Sequence, residues 1–287
     1  MFRSLSLACL LLSACGLAGA AEPLLPQGKA YHSPDAWRQP VAPVRISDHT
    51  WQIGTAGITA LLVRTDDGAL LIDGGLPQVA DMLLANMRAL GVAPGELKLI
   101  LASHAHGDHA GSIAAIKRAT GAQVLNSAES AVLMASGGGN DIHFGDDFVY
   151  PPVQTDRVLH DGEVVALGNV RLTAHFIPGH TPGSIAWTWD DTRYGKTQHI
   201  AYVDSLTAPG YKLVGNPRYP HIVDDFHHSF AIVRALPCDV LLTPHADASG
   251  WDFANAANPH PQPMGCQAYA DGAEGELQAQ ITETAVR

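Results

Sequence analysis

An apolar run, Leu97 to Ala102, passes directly into S-H-A-H-G-D-H-A-G, Ser103 to Gly111. This junction constrains the fold, because four potential metal ligands, His104, His106, Asp108 and His109, must be gathered where a buried strand ends. Residues two apart in an extended segment point the same way, so His104 and His106 can converge on one ion. Gly107 lets the backbone turn sharply, which aims Asp108 and His109 at a second position. A solvated polar loop is the plain alternative for any one of these residues. Four at this spacing favour a metal centre, and such a centre needs at least two more ligands from elsewhere in the chain.

At 287 residues the chain has room for one large domain or two smaller ones. Apolar residues make up 46% and charged residues 16%, the balance of a globular chain with a substantial core. The net charge is -11, from 17 Lys+Arg against 28 Asp+Glu, with no basic cluster, which argues against a nucleic-acid partner. Residues 1–20 read as an export signal. Arg3 precedes an apolar run, Leu5 to Ala14, and small residues end in Ala18-Gly19-Ala20, leaving 21–287 as one domain in the periplasm. The apolar run is too short for a transmembrane helix. Leu12-Ser13-Ala14-Cys15 also resembles a bacterial lipoprotein cleavage box; unless Cys15 is lipidated, no stable membrane partner is expected. After cleavage only Cys238 and Cys266 remain, an even number in an oxidising compartment. A bridge between them would be worth roughly 3 to 4 kcal/mol in the chain-entropy model, and two separate buried thiols are the alternative.

Prolines 23, 26, 34, 40 and 43 make residues 21–44 an irregular arm, whose Tyr31 and Trp37 either line a cleft or pack elsewhere. Strands are expected at Val44 to Ile53, Ile58 to Thr65, Ala69 to Ile72 and Leu97 to Ala102, with a helix from Pro77 to Leu90. A short helix from Ala110 to Arg118, a strand from Ala122 to Leu125 and a helix from Ala128 to Met134 follow. Gly137 to Gly145 has the composition of a flexible surface loop. The second half offers strands at Val164 to Leu167, Val170 to Phe176, Ser184 to Trp189, His199 to Val203 and Asp239 to Thr243. Its helices are expected at Asp224 to Leu236 and Cys266 to Thr284. Two halves, each of sheet and then helix, predict an α/β fold of two β-sheets packed face to face with helices outside.

Two later histidines follow strands as ligands would. His180 sits in Pro178-Gly179-His180-Thr181-Pro182-Gly183, and His245 ends Leu241-Leu242-Thr243-Pro244-His245. His160, His175, His199, His221, His227, His228 and His260 read as structural or solvated. Zinc suits imidazole and carboxylate ligands, and three per ion divides the six evenly. His104, His106 and His180 would hold one zinc, and Asp108, His109 and His245 a second. Two such ions can share a water and lower its pKa from 15.7 toward about 7, which makes hydrolysis the expected reaction class.

With these residues assembled, the chain resembles the metallo-β-lactamase superfamily in its H-A-H-G-D-H motif, the Gly179-His180 turn and the late His245. Ala201 to Tyr211, Gly215 to Pro220, Leu236 to Asp239 and Cys266 narrow the likeness to subclass B3 metallo-β-lactamases over nearly the whole mature chain. The resemblance implies a four-layer αβ/βα sandwich of two mixed β-sheets, the six ligands divided as above with no cysteine among them, and a Cys238–Cys266 disulfide. It also implies that Ser205 and, less closely matched, Thr207 bind a substrate carboxylate, and that Tyr211 stands near the substrate carbonyl, where its phenol can donate to a developing oxyanion. Asp108 would orient the nucleophile.

The function so implied is zinc-dependent hydrolysis of the β-lactam amide of penicillins, cephalosporins and carbapenems by a metal-bound hydroxide, hence antibiotic resistance. The family contains both monomers and a tetramer, so the oligomeric state stays open. One rival is a superfamily thioesterase or lactonase with Asp204 as a bridging ligand, since Asp204-Ser205-Leu206 resembles a segment of the glyoxalase II branch. Another is a non-catalytic zinc-binding export protein, although structural zinc sites are usually closed and four-coordinate.

Overall fold

The computed structural model describes residues 33–286; the expected export signal, Cys15 and Tyr31 lie outside them. Strands β1 (Val44–Arg45), β2 (Thr50–Gln52), β3 (Leu61–Thr65), β4 (Gly68–Ile72), β5 (Leu97–Leu101), β6 (Gln123–Asn126) and β7 (Arg157–Val158) form one sheet in that order. A second sheet has the order β12 (Val240–Leu242), β11 (Lys196–Tyr202), β10 (Ile185–Arg193), β9 (Val170–Phe176) and β8 (Val164–Leu167). Both are mixed. Pairing is antiparallel from β1 to β4 and parallel from β4 to β7, while β8 to β11 are antiparallel and β12 runs parallel to β11.

Alternating side chains decide the layers. Leu61 and Val63 of β3, Leu70 and Ile72 of β4, Trp187 and Trp189 of β10, and Ile200 and Tyr202 of β11 meet in a core between the sheets. Their neighbours Leu62 and Leu71 face outward under helices α1 (Ala80–Ala89) and α3 (Ile113–Thr120), and Met134 of α4 (Ala128–Ala135) joins the same cluster. Ala186, Ala201 and Val203 face outward under α5 (Ile222–Ala235) and α6 (Cys266–Val286). Strands covered on both faces read as near-continuous apolar runs, which is why the central ones were visible in the sequence. The helices bury one stripe each. On α5 that stripe is Ile222, Phe226, Phe230 and Val233, spaced by four, four and three. The αβ/βα sandwich expected from the resemblance is thus the observed fold.

Several boundaries differ from expectation. Val44 to Ile53 is not one strand but the hairpin β1–β2, turned at Ser47-Asp48-His49. β10 and β11 run past Trp189 and start before His199, closing through Tyr194 (φ 54°) and Gly195 (φ 73°), two left-handed residues that suit a tight hairpin. The helix expected from Ala110 is two pieces, α2 (Gly107–Ala110) and α3, so Asp108 and His109 lie on a helical turn rather than after a sharp bend. Gly107 is required for a different reason. A Cβ there would meet Tyr150 Cδ1 at 3.2 Å and Phe148 O at 3.3 Å, so glycine permits the close approach of that segment. The short edge strand β7 carried no periodic signal.

Candidate metal centre

The six expected ligands come from strand ends of both sheets. His104 and His106 leave β5, Asp108 and His109 follow on α2, His180 occupies the β9–β10 turn, and His245 stands just beyond β12. Open α/β sheets build sites outside the carboxyl ends of parallel strands, and here two such ends face each other. Cross-sheet bonds hold them: Ile185 N–H donates to Ser103 O (2.8 Å), Trp187 Nε1–H to Ala102 O (3.1 Å), and Thr59 N–H to Pro244 O (2.8 Å).

Ligand atoms of His104, His106 and His180 lie within 4.8 Å of one another, as do those of His104, Asp108 and His109. His245 joins the second group at slightly longer range, with Nε2 3.7 Å from Asp108 Oδ2 and its ring 4.9 Å from that of His109. The first expected trio therefore comes together as one group, whereas in the second it is His104, and not the expected His245, that lies within that distance of both Asp108 and His109.

Four of the five rings have an oxygen behind them, two within hydrogen-bond distance. His104 Nδ1 lies 2.7 Å from Asp204 Oδ1, and His180 Nδ1 donates to Thr207 O at 2.7 Å. His106 Nε2 lies 3.4 Å from Asp141 Oδ2, and His109 Nδ1 3.7 Å from Asp73 Oδ2. Such outer partners fix which nitrogen faces a metal. Asp73 is itself held in a left-handed conformation (φ 63°), and accepts from Ser103 N–H and Oγ–H (both 2.7 Å) and from Tyr202 OH (2.6 Å). Burial raises its pKa to about 6 against the opposing pull of His109 and these donors.

The donor set fits a metal. His104 Nε2, His106 Nε2 and both ring nitrogens of His109 are buried without a hydrogen-bond partner, a costly arrangement that an ion would satisfy. Burial, reinforced by neighbouring histidines, holds His104 and His180 well below the usual histidine pKa and lowers His245 to about 4. Those three rings are neutral at pH 7 with lone pairs available for coordination. His109 is opposite in sign. Burial disfavours its charge, but Asp108, with Asp73 and Asp204 behind it, raises it to about 9.

The centre floors a cleft of about 570 Å³, walled by Trp37, Phe144, Phe148 and Pro209. Asp247 also lines it, and no Lys or Arg does among the described residues. Trp37 packs 4.8 Å from the His245 ring, placing the N-terminal arm at the cleft. Thr207 lines the cleft, whereas Ser205 is 5% exposed, is not among the lining residues, and donates its N–H to Asp204 Oδ1. Tyr211 stacks on His143 at 3.4 Å between ring centroids, and its hydroxyl is buried without a partner. Burial pushes that phenol well above its ordinary pKa, so it stays a donor. Cys238 and Cys266 form a disulfide joining the α5–β12 connection to the start of α6.

Among the other histidines, His175 bonds Thr188, His199 bonds Asp190, His227 bonds Glu274 and His260 stacks on Trp251. The sequence reading missed Asp73, Asp141, His143 and Phe144. Only Asp73 left a signal, in the Asp73-Gly74-Gly75 ending of a strand beside the ligand strand.

Residues 53–245 match the family model of the metallo-beta-lactamase superfamily, whose members are hydrolases that bind metal ions, and the chain belongs to that superfamily. Within it the solved neighbours agree with the likeness read from residues 201–220. The chain is similar to MIM-1, a metallo-β-lactamase from Novosphingobium pentaromativorans, at 37% identity and TM-score 0.81 over 90% of this chain and 96% of that one. It is also similar to BJP-1, a subclass B3 metallo-β-lactamase of Bradyrhizobium japonicum, at 32% identity and TM-score 0.80 over 88% and 97%. Among curated proteins, a hydroxyacylglutathione hydrolase of Anaeromyxobacter dehalogenans (strain 2CP-C) is 39% identical over 137 residues, which are 48% of this chain and 44% of that protein. The chain spans about half the length of the curated relatives it matches.

Proposed function

We propose that the chain is an exported, zinc-dependent β-lactamase. One observation carries the reading: five histidines and one aspartate from both sheets converge, without cysteine, at the floor of an aromatic-walled cleft in a fold shared over its length with β-lactamases. His104, His106 and His180 would hold one zinc, and Asp108, His109 and His245 the other. When bound, the pair supplies Lewis acidity and lowers the pKa of water toward about 7.

The chain's own groups do the rest. His104 and His180 are locked through Asp204 and the Thr207 carbonyl, so the ligand geometry is set before substrate arrives. Asp108 reaches toward both His109 and His245 from the floor and orients the attacking water. The free Tyr211 hydroxyl donates to the carbonyl oxygen as the oxygen of water adds to the lactam carbon. The C–N bond then breaks and the nitrogen takes up a proton. Thr207 at the cleft and Ser205 behind it serve the substrate carboxylate. The partner is thus a small β-lactam, acted on in the periplasm after removal of residues 1–20.

The second reading, thioester hydrolysis, is favoured by the hydroxyacylglutathione hydrolase relatives. Against an Asp204 bridging role stands its grip on His104 Nδ1, on the ring edge away from the unpartnered Nε2. A panel of nitrocefin, a penicillin, a carbapenem and S-lactoylglutathione, run with a zinc titration, separates the readings. β-Lactam turnover that vanishes on chelation and returns with zinc is expected. Turnover of the thioester alone would replace this proposal with its rival, and nitrocefin hydrolysis by metal-free protein would remove the mechanism.

A further inference from the structure

Residues 137–145 were expected to be a flexible surface loop, yet they deliver a buried carboxylate to the metal centre. Asp141 is 5% exposed. Its Oδ1 accepts two backbone amides, His143 N–H at 2.7 Å and Phe144 N–H at 2.8 Å, and so shapes a tight turn. Its Oδ2 is turned the other way, 3.4 Å from His106 Nε2, a buried nitrogen with no hydrogen-bond partner of its own. The loop is pinned so that this carboxylate cannot easily withdraw. Asp141 N–H and Gly145 O pair at 2.9 Å, and Gly145 N–H returns to Asp141 O at 3.0 Å. Arg218 donates to the carbonyls of Asp141 (2.9 Å) and Asn140 (2.7 Å) from the segment that follows Tyr211. Tyr150 OH donates to Ala105 O at 2.5 Å, fastening the far end of the loop between the first two ligands. Phe144 sets its ring edge-on to His106 at 5.2 Å.

We propose that Asp141 is a positioning residue for the metal centre: it accepts the Nε2 proton of His106 and thereby presents the other ring nitrogen, Nδ1, to the ion shared with His104 and His180. His104 and His180 are oriented by Asp204 and Thr207 O, both on the second sheet's side. His106 alone among the three depends on the glycine-rich loop. Anything that lifts the loop over the cleft therefore loosens one ligand as well as the cleft wall.

This inference rests on the reading of His106 as a metal ligand, and its test separates the two. Asp141→Ser keeps an oxygen able to accept the turn amides but is too short to reach His106, whereas Asp141→Asn keeps the turn through its carbonyl oxygen but sets an amide NH2, a donor, against the His106 Nε2 proton. Zinc affinity of the full chain is measured by competition with a chromophoric chelator, and the Co(II)-substituted protein by its ligand-field absorption. D141S is expected to weaken one of the zinc equivalents about 10- to 100-fold and to change the Co(II) bands, as loss of an outer-shell partner does. D141N, which holds the turn but offers no acceptor to His106, should weaken the same equivalent to a similar degree, and the metal-free melting temperatures of both variants should match wild type. Wild-type zinc affinity in D141S or in D141N, with or without a fall in the metal-free melting temperature, would overturn the proposal. Wild-type protein that takes up no zinc would instead remove the ligand reading on which it depends.

Discussion

His109 is the residue at which charge and coordination conflict most directly. Both its ring nitrogens are buried without hydrogen-bond partners, while Asp108 Oδ2 lies 3.3 Å from Nε2. In the metal-free protein Asp108 overcomes burial and raises the ring to about 9, so at pH 7 it carries a proton that an entering metal must displace. Zinc added to metal-free protein at pH 7 should therefore release about one proton from His109, read as a dependence of the calorimetric heat on the buffer's ionisation enthalpy. His245, lowered to about 4, and the neutral His104 and His180 should release none. Because the raised group is protonated below its pKa, zinc affinity at this position should climb roughly tenfold per pH unit from 7 until it levels near 9. A buffer-independent heat at pH 7 would rule this out. The convergence of these six residues was legible because histidines and an aspartate gathered at strand ends have few other uses. Asp73 and Asp141 were not, since a carboxylate that acts through another residue 30 or more positions away leaves no spacing in the sequence.

Single elements show how the turns aim these ligands. Gly179 has φ +145°, a conformation that favours glycine, and a Cβ there would fall 2.7 Å from Phe226 Cδ1 on α5. Its N–H donates to Thr181 O across His180, so the β9–β10 turn is drawn tightly against that helix. Gly179→Ala should push the turn off α5 and carry His180 with it, costing on the order of 1 to 3 kcal/mol. Calorimetry should show a lower melting temperature, and metal analysis a reduced zinc content. Gly121, which ends α3 at φ +75°, is the control, because a Cβ there meets nothing within 4 Å. Gly121→Ala should lower the melting temperature modestly and leave zinc content unchanged; equal zinc loss in both variants would show that the Gly179 turn is not what aims His180. The Gly/Pro-held turn was visible in the sequence, as were strands buried on both faces. The β10–β11 hairpin tip was not, because beyond Trp189 its residues are polar and paired outside the core. Asp191 there bonds Ser47, His49 and Thr50 of the β1–β2 hairpin, a tie made across about 140 residues that periodicity cannot register.

At the scale of the molecule, the centre is a joint between two half-sandwiches. The first sheet supplies His104, His106, Asp108 and His109, and the second supplies His180 and His245. Each proposed zinc takes ligands from both, so binding to the folded chain links the sheets at one end, while apolar packing between Trp187, Trp189, Leu61 and Ile72 links them along their faces. A ligand that binds only the folded state at a hundred times its dissociation constant stabilises it by about 2.7 kcal/mol per site. For a chain of this size each kcal/mol moves the melting temperature by about 2 to 4 °C. Removing zinc with a chelator should therefore lower the melting temperature by roughly 5 to 10 °C for each site emptied, in scanning calorimetry at fixed free zinc. His245→Ala, which withdraws a ligand from one side of one site, should show about half of the chelator-dependent shift, because the His104, His106 and His180 group stays intact. The Cys238–Cys266 disulfide fastens α6 to the second sheet alone and should leave that shift unaltered when both cysteines are changed to serine, even as the baseline falls. A melting temperature indifferent to chelator would mean that the two sheets are joined without the metals, and that the six convergent side chains contribute nothing to holding the halves together.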